Sequence, residues 1–542
     1  MPSTRLRFAP PALLFSFSSV AVLAFLGGCG GSKGVDLPAG GDDGGGQDAT
    51  STVDGGADDG AAGSDGTTDA GTPDAIAPGN GNLLLTGKIV TPDAIVDGQV
   101  LVVGSKITCV QPGTACAGRP EAAGAAKITG SVIGPGLIDT HNHILYDVFD
   151  DSDWLPLQVY QDHTQWPSEA RYGAMLDVKQ CLANDSQGKP GWCANTPYGT
   201  PAGSLRCEMD KWGELKGLIA GTTSIVGLPG TSAACFGSLA RSIDVAQNGL
   251  GTDKVQASAL FPPSNPSGVC TNFTSMATTA FLAHVGEGVN AKALSEFATF
   301  GSASTPADCL YAPQTAITHG TAFTQAEFKT MADKGMKLTW SPASNVALYG
   351  QTAQIPVALE QGLTIALAPD WSMGGSQNLL DELRFADSWD NKNFGDRLKA
   401  KDLVAMATVN GAKVLALDDR IGQIKEGYVA DLVVFSGNAN APYDAIVAAT
   451  PKEVRLVVIG GVALYGDKDL EPAAPTTPGC ETVDICGASK FLCVATNDGA
   501  NKLNQTYATI KAALEKAMTD SDAQTTSDGF TFAPLAPLVK CK

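Results

Sequence analysis

The sequence predicts an α/β protein, a βα barrel with short-stranded β segments on either side of it. Three observations carry this. First, seven short apolar runs recur along the middle of the chain: LIDTH at 137–141, TTSIVG at 222–227, VQASALF at 255–261, FLAH at 281–284, TAITH at 315–319, KLTWS at 337–341 and LTIALAPD at 363–370. Helical patterns fill the intervals, and the whole stretch of about 285 residues suits a barrel, which takes about 250. Second, residues 82–110 and 427–467 alternate β-rich runs with Gly, Pro and Asp turns, the texture of small antiparallel sheets. Third, four of the five histidines fall at the ends of the apolar runs. One barrel strand, near 240–246, is poorly marked.

Arg5 and Arg7 open the chain and an apolar run follows from about Phe8 to Leu26, ending in Leu26-Gly27-Gly28-Cys29. The order of basic, apolar and small-residue regions reads as a secretory signal over 1–28. It resembles a bacterial lipobox, which implies cleavage before Cys29, lipid attachment to it and an exported, membrane-anchored lipoprotein; an uncleaved anchor is the competing reading. Residues 29–80 are Gly, Asp, Ala, Ser and Thr in the main, too polar to offset the entropy of ordering them, so they read as a disordered tether.

Charge narrows the partners. Lys and Arg number 36 against 56 Asp and Glu, a net charge of -20, which argues against nucleic acid or an anionic lipid surface. About nine of those charges sit in the tether, where ten Asp accompany one Lys. The folded remainder is mildly acidic, which leaves a small-molecule substrate and a homo-oligomer open. Setting Cys29 aside, twelve cysteines remain, an even number that suits disulfides in an exported protein. The pair 109/116, the group 181/193/207 and the set 480/486/493/541 read as loop staples, because none has the Cys-x-x-Cys spacing of zinc sites.

Segments then follow in order: a β part at 81–133, the barrel at 134–420, a second β part at 421–470 and a Cys-containing extension at 471–542. His141 and His143 are two apart, so on extended chain both face the barrel mouth. His284 closes FLAH, His319 closes TAITH and Asp370 closes LTIALAPD. Catalytic groups of a βα barrel come from such strand ends, where distant segments converge on one solvent-open point. A single histidine after a strand is commonly a packing residue; four of them and an aspartate, repeating the placement, point to a metal centre.

The pieces GPGLIDTHNH at 134–143, HVGE at 284–287, THG at 318–320, SPASN at 341–345 and PDWSMGGSQNLLDELR at 369–384 resemble the amidohydrolase superfamily, as does ATVNGAKVLALDDRIGQIKEGYVADLVV at 407–434. The resemblance runs from Leu83 to Asp467 and is closest to the single-metal branch of aromatic-base deaminases and chlorohydrolases. It implies a distorted TIM barrel with a small β-sandwich built from both flanks. It implies that His141, His143, His284 and Asp370 bind one divalent metal, most suitably Zn²⁺, although the same ligands accept Fe²⁺. By the same resemblance Asp370 is also the base that accepts a proton from water, and His319 is a catalyst beside the metal. Glu287, in His284-Val285-Gly286-Glu287, is a proton shuttle to a ring nitrogen. Asn345 and Trp371 are candidates for the pocket wall, and His163 in QDHTQW reads as an exposed loop residue, with a part in substrate recognition as the alternative. The activity so implied is hydrolysis of C–N bonds other than peptide bonds, by deamination of a cyclic amidine or amino-heterocycle. Hydrolysis of a linear or cyclic amide or of a halogenated ring is the alternative, and a non-catalytic binding lipoprotein is the remaining one.

Overall fold

The computed structural model describes residues 79–541 apart from 186–187, 228–238, 245–249, 251–253, 260, 477–478, 496–504 and 526–528. The signal segment, Cys29 and all of the tether up to residue 78 therefore lie outside the described residues.

The first flank supplies β1 (Leu83–Val90), β2 (Ile95–Val103), β3 (Lys106–Pro112) and β4 (Ala126–Pro135). The barrel supplies β5 (Leu137–Asp139), β6 (Thr222–Ile225), β7 (Arg241–Ser242), β8 (Val255–Ser258), β9 (Ala280–Val285), β10 (Thr315–His319), β11 (Lys337–Trp340) and β12 (Ile365–Leu367). The remaining strands are β13 (Leu432–Phe435), β14 (Val454–Ile459), β15 (Val462–Asp467), β16 (Glu481–Ile485) and β17 (Ala488–Leu492).

Both flanks meet in one nine-stranded sheet of order β16-β17-β15-β14-β13-β4-β1-β2-β3. Its seam is the antiparallel pair β4/β13, with Leu432 opposite Pro135 and Val434 opposite Ile133, so residues three hundred apart in sequence share a ladder. The extension after residue 470 adds β16 and β17 to this sheet, pairing Tyr465 with Leu492. Disulfides Cys480–Cys493 and Cys486–Cys541 tie those strands and the chain end together, and Cys109–Cys116, Cys181–Cys193 and Cys270–Cys309 staple loops elsewhere. Cys207 is also disulfide-bonded.

The barrel strands run parallel, β5-β6-β7 in one sheet and β8 to β12 in sequence order in another. Strand β9 (AFLAHV) is buried at every position, as expected of a parallel strand covered on both faces. The poorly marked strand is β7, only two residues long. Strand ends of β5 and β12 are joined by a parallel bridge between Asn142 and Asp370: His143 N–H donates to Asp370 O at 2.6 Å and Asp370 N–H to His141 O at 3.1 Å. Backbone pairing thus sets the first and last strand ends against each other at the positions that carry the chemistry.

Candidate active site

Gly136 links β4 to β5, and a Cβ there would lie 2.3 Å from Thr223 Cγ2 and Oγ1, so the close approach of β5 to β6 needs glycine. At the end of β5, Asp139 holds the turn: its carboxylate accepts from His141 N–H at 3.0 Å and from Asn142 Nδ2 at 3.1 Å. With Asn142 turned to Asp139, His141 and His143 face the opposite way, into the barrel mouth. His319 and Asp370 both have a left-handed backbone, φ 73° and 71°, which non-glycine residues rarely adopt and which aims each side chain inward from its strand end.

These segments converge. Ring centroids of His141 lie 5.0, 4.6 and 5.2 Å from those of His143, His284 and His319. Asp370 Oδ1 is 2.9 Å from His141 Nε2 and 3.4 Å from His143 Nε2. In two sets, His141/His143/His284 and His141/His319/Asp370, ligand atoms lie within 4.8 Å of one another. Burial pushes the pKa values of His141, His143 and His284 down to about 3 and that of His319 well below its ordinary value. The imidazoles are therefore neutral, the form that binds metal. His284 Nδ1 lies 2.9 Å from Ser258 O, to which it donates, and this leaves Nε2 as the ligating nitrogen. His141 Nδ1 is buried with no hydrogen-bond partner among the described residues. Three neutral imidazoles and one carboxylate fit a divalent metal.

Glu287 Oε1 accepts from Tyr349 OH at 2.6 Å, and Oε2 lies 4.0 Å from His319 Nε2. Burial, opposed by His163 and the Tyr349 bond, pushes its pKa up to about 7, where a carboxyl can both give and take a proton. The groups open on a cavity of about 400 Å³ walled by Tyr146, Trp166, Tyr172 and Trp371.

The structure moves two of the sequence expectations. Asn345 is fully buried and does not reach the cavity; it stands behind His319, its Nδ2 3.0 Å from His319 Nδ1, because polar partners lie there and not at the mouth. His163 lines the cavity instead of a solvent loop, held by Glu296 at 2.7 Å, and this carboxylate raises its pKa. Trp371 does line the wall, 5.6 Å from the His143 ring. Sequence reasoning missed Tyr146, Trp166, Tyr172 and Lys179, which lie between β5 and β6, and it missed Tyr349. For Tyr349 a signal existed: it follows Asn345 by four residues on the helix Pro342–Tyr349 and so shares its face.

A parallel-stranded barrel whose strand ends gather neutral imidazoles and two buried carboxyl groups defines a metal-dependent hydrolase. Residues 269–464 match the amidohydrolase family model. The chain is 24% identical over 427 residues to a 5'-deoxyadenosine deaminase of Methanothermobacter thermautotrophicus, covering 72% of this chain and 95% of that one. It is 25% identical over 408 residues to a 5-methylthioadenosine/S-adenosylhomocysteine deaminase of Desulforamulus reducens, covering 70% and 91%. Among solved structures, a mutant atrazine chlorohydrolase of Arthrobacter aurescens complexed with zinc and atraton shares the fold, with a TM-score of 0.54 at 18% identity over 73% of this chain and 96% of that one.

Proposed function

We propose that the chain deaminates an amino-substituted nitrogen heterocycle, with Zn²⁺ held by His141, His143, His284 and Asp370. The observation that carries this is the placement of Glu287 Oε2, 4.0 Å from His319 Nε2 in the same cavity as the ligand set. A divalent cation on these donors supplies Lewis acidity, lowering the pKa of water toward ~7. Asp370 accepts the proton of the attacking water. Glu287 gives its proton to the ring nitrogen as the C–O bond forms at the amidine carbon; the C–N bond then breaks, the amino group leaves as ammonia with the proton that Asp370 took from water, and the hydroxyl proton of the intermediate returns to Glu287 as the carbonyl forms. His319 hydrogen-bonds at the reacting oxygen and holds it in line. The aromatic walls and the volume of about 400 Å³ suit a flat ring. The deaminase relatives support the reaction class.

Ammonia release from a panel of amino-heterocycles by zinc-loaded protein tests this. Turnover is expected with at least one, Asp370→Asn should abolish it, and His141→Ala should lose metal with activity. Glu287→Gln should lower kcat by about 10²–10⁴-fold with metal content unchanged. Turnover of simple amides alone, indifferent to Glu287→Gln, would contradict the ring-protonation step. We further propose, on the order of residues 5–29, that Cys29 carries a lipid. Palmitate labelling lost in Cys29→Ser, with release of the protein from membranes, is the expected result.

A further inference from the structure

The helix Pro342–Tyr349 touches the site twice, and each contact ends a chain of hydrogen bonds that begins at an indole, that of buried Trp340 or of half-buried Trp166. In the first, Trp340 Nε1 lies 2.7 Å from Thr352 Oγ1, Thr352 Oγ1 lies 3.2 Å from Asn345 Oδ1, and Asn345 Nδ2 lies 3.0 Å from His319 Nδ1. All four residues are buried, so no solvent competes for these groups. An indole N–H only donates. Thr352 therefore accepts from Trp340 and has its own hydrogen to give, and Asn345 Oδ1 is its acceptor. That choice turns the Asn345 amide so that its NH₂ meets His319. The opposite amide orientation would leave the Thr352 hydroxyl hydrogen with no acceptor among the described residues, a cost of about 1–3 kcal/mol in a buried site. His319 Nδ1 must then accept, and a neutral imidazole that accepts at Nδ1 carries its hydrogen on Nε2.

In the second chain, Trp166 Nε1 lies 3.0 Å from Tyr349 Oη, and Tyr349 Oη lies 2.6 Å from Glu287 Oε1. The same logic applies. Tyr349 accepts from the indole and gives its hydrogen to Oε1, which leaves Oε2 as the oxygen able to carry a proton. Oε2 is the oxygen that faces His319 Nε2, at 4.0 Å.

We infer that these two tryptophan-headed chains fix where the protons of the site sit, on Nε2 of His319 and, when Glu287 is protonated, on its Oε2. His319 is then a hydrogen-bond donor toward the reacting centre and cannot serve as the base, which leaves that work to Asp370. Trp340, Thr352, Asn345, Trp166 and Tyr349 are positioning residues, since each acts through His319 or Glu287. The proton placement stands on the geometry alone; its consequence for rate rests on the proposed deamination.

The chain has five histidines, so ¹⁵N-histidine labelling of the zinc-loaded protein gives a spectrum simple enough to read, with His319→Gln assigning the resonance. Long-range ¹H–¹⁵N correlation should show His319 protonated at Nε2 and bare at Nδ1. Asn345→Asp, whose carboxylate can only accept, should move the proton to Nδ1. Thr352→Val should release the amide and give a mixture of tautomers, and Thr352→Ser should restore the single one. With a turned-over substrate, Thr352→Val and Tyr349→Phe should each lower kcat about tenfold with KM nearly unchanged. A wild-type His319 protonated at Nδ1, or a tautomer that ignores both Asn345→Asp and Thr352→Val, would overturn the inference. The spectrum needs no substrate, so it decides the matter even where no heterocycle is deaminated, and the two readings fail separately.

Discussion

Single residues at this site are legible to different depths, for physical reasons. His141 and His143 declare themselves because a strand repeats every two residues, and the left-handed positions of His319 and Asp370 follow strands that are plain in sequence. Asn345 is visible as a motif residue, but whether it faces substrate or a neighbouring imidazole depends on what packs behind it. His163 left two readings open in the sequence, because its partner Glu296 stands 133 positions further on and only the fold brings the two together. Buried carboxyls make a further prediction at this scale. Glu382 accepts from Ala343 N–H at 3.1 Å and from Ser376 Oγ, and burial pushes its pKa up to about 8 from an ordinary 4.5. Between those two values the unfolded chain has released the proton and the folded chain has kept it, so stability falls as pH rises from about 4.5 through about 8. Glu382→Gln keeps an acceptor for Ala343 and a donor for Ser376 without the titration. Urea unfolding at pH 5 and pH 9 should therefore show a smaller loss across that range in the variant than in the wild type.

At the scale of elements, apolar runs found seven of the eight described barrel strands and the two-residue β7 hardly at all. β7 consists of Arg241 and Ser242, buried polar residues held by Asp431 and Glu214. A strand held by charge and hydrogen bonds leaves no hydrophobic period to read. The seam between β4 and β13 was readable as two β textures, yet their pairing into one sheet, and its lengthening by β16 and β17, are properties of tertiary contact. The tight joint between β5 and β6 makes its own prediction. Gly136→Ala places a methyl 2.3 Å from a buried β-branched Thr223, which has little room to yield, so the variant should lose about 1–3 kcal/mol in chemical denaturation. Because β5 leads into His141 and His143, it should also bind metal more weakly.

Across the whole molecule, the C-terminal extension returns to the site. Ala536 N–H donates to Val148 O at 3.1 Å, Phe532 packs on Phe149 with centroids 5.9 Å apart, and Lys540 lies 3.3 Å from Asp150 and 3.4 Å from Asp151. These partners belong to the loop that follows His143, so the chain end braces the loop beside the ligand set. Cys486–Cys541 closes 55 residues around that brace. Replacing both cysteines by Ser should cost about 2–5 kcal/mol of stability, read as a lower Tm, and should raise KM as the braced loop loosens. Cysteine spacing showed that staples exist here; the partner of each could be read only from the fold.

All of this depends on four side chains from three distant segments holding one ion. Diffraction from crystals of zinc-loaded protein, collected on either side of the zinc absorption edge, tests that most directly. A single anomalous peak in contact with His141, His143, His284 and Asp370 is the predicted result. A zinc-loaded crystal with no peak there, or with the ion held elsewhere and these four side chains unliganded, would contradict it.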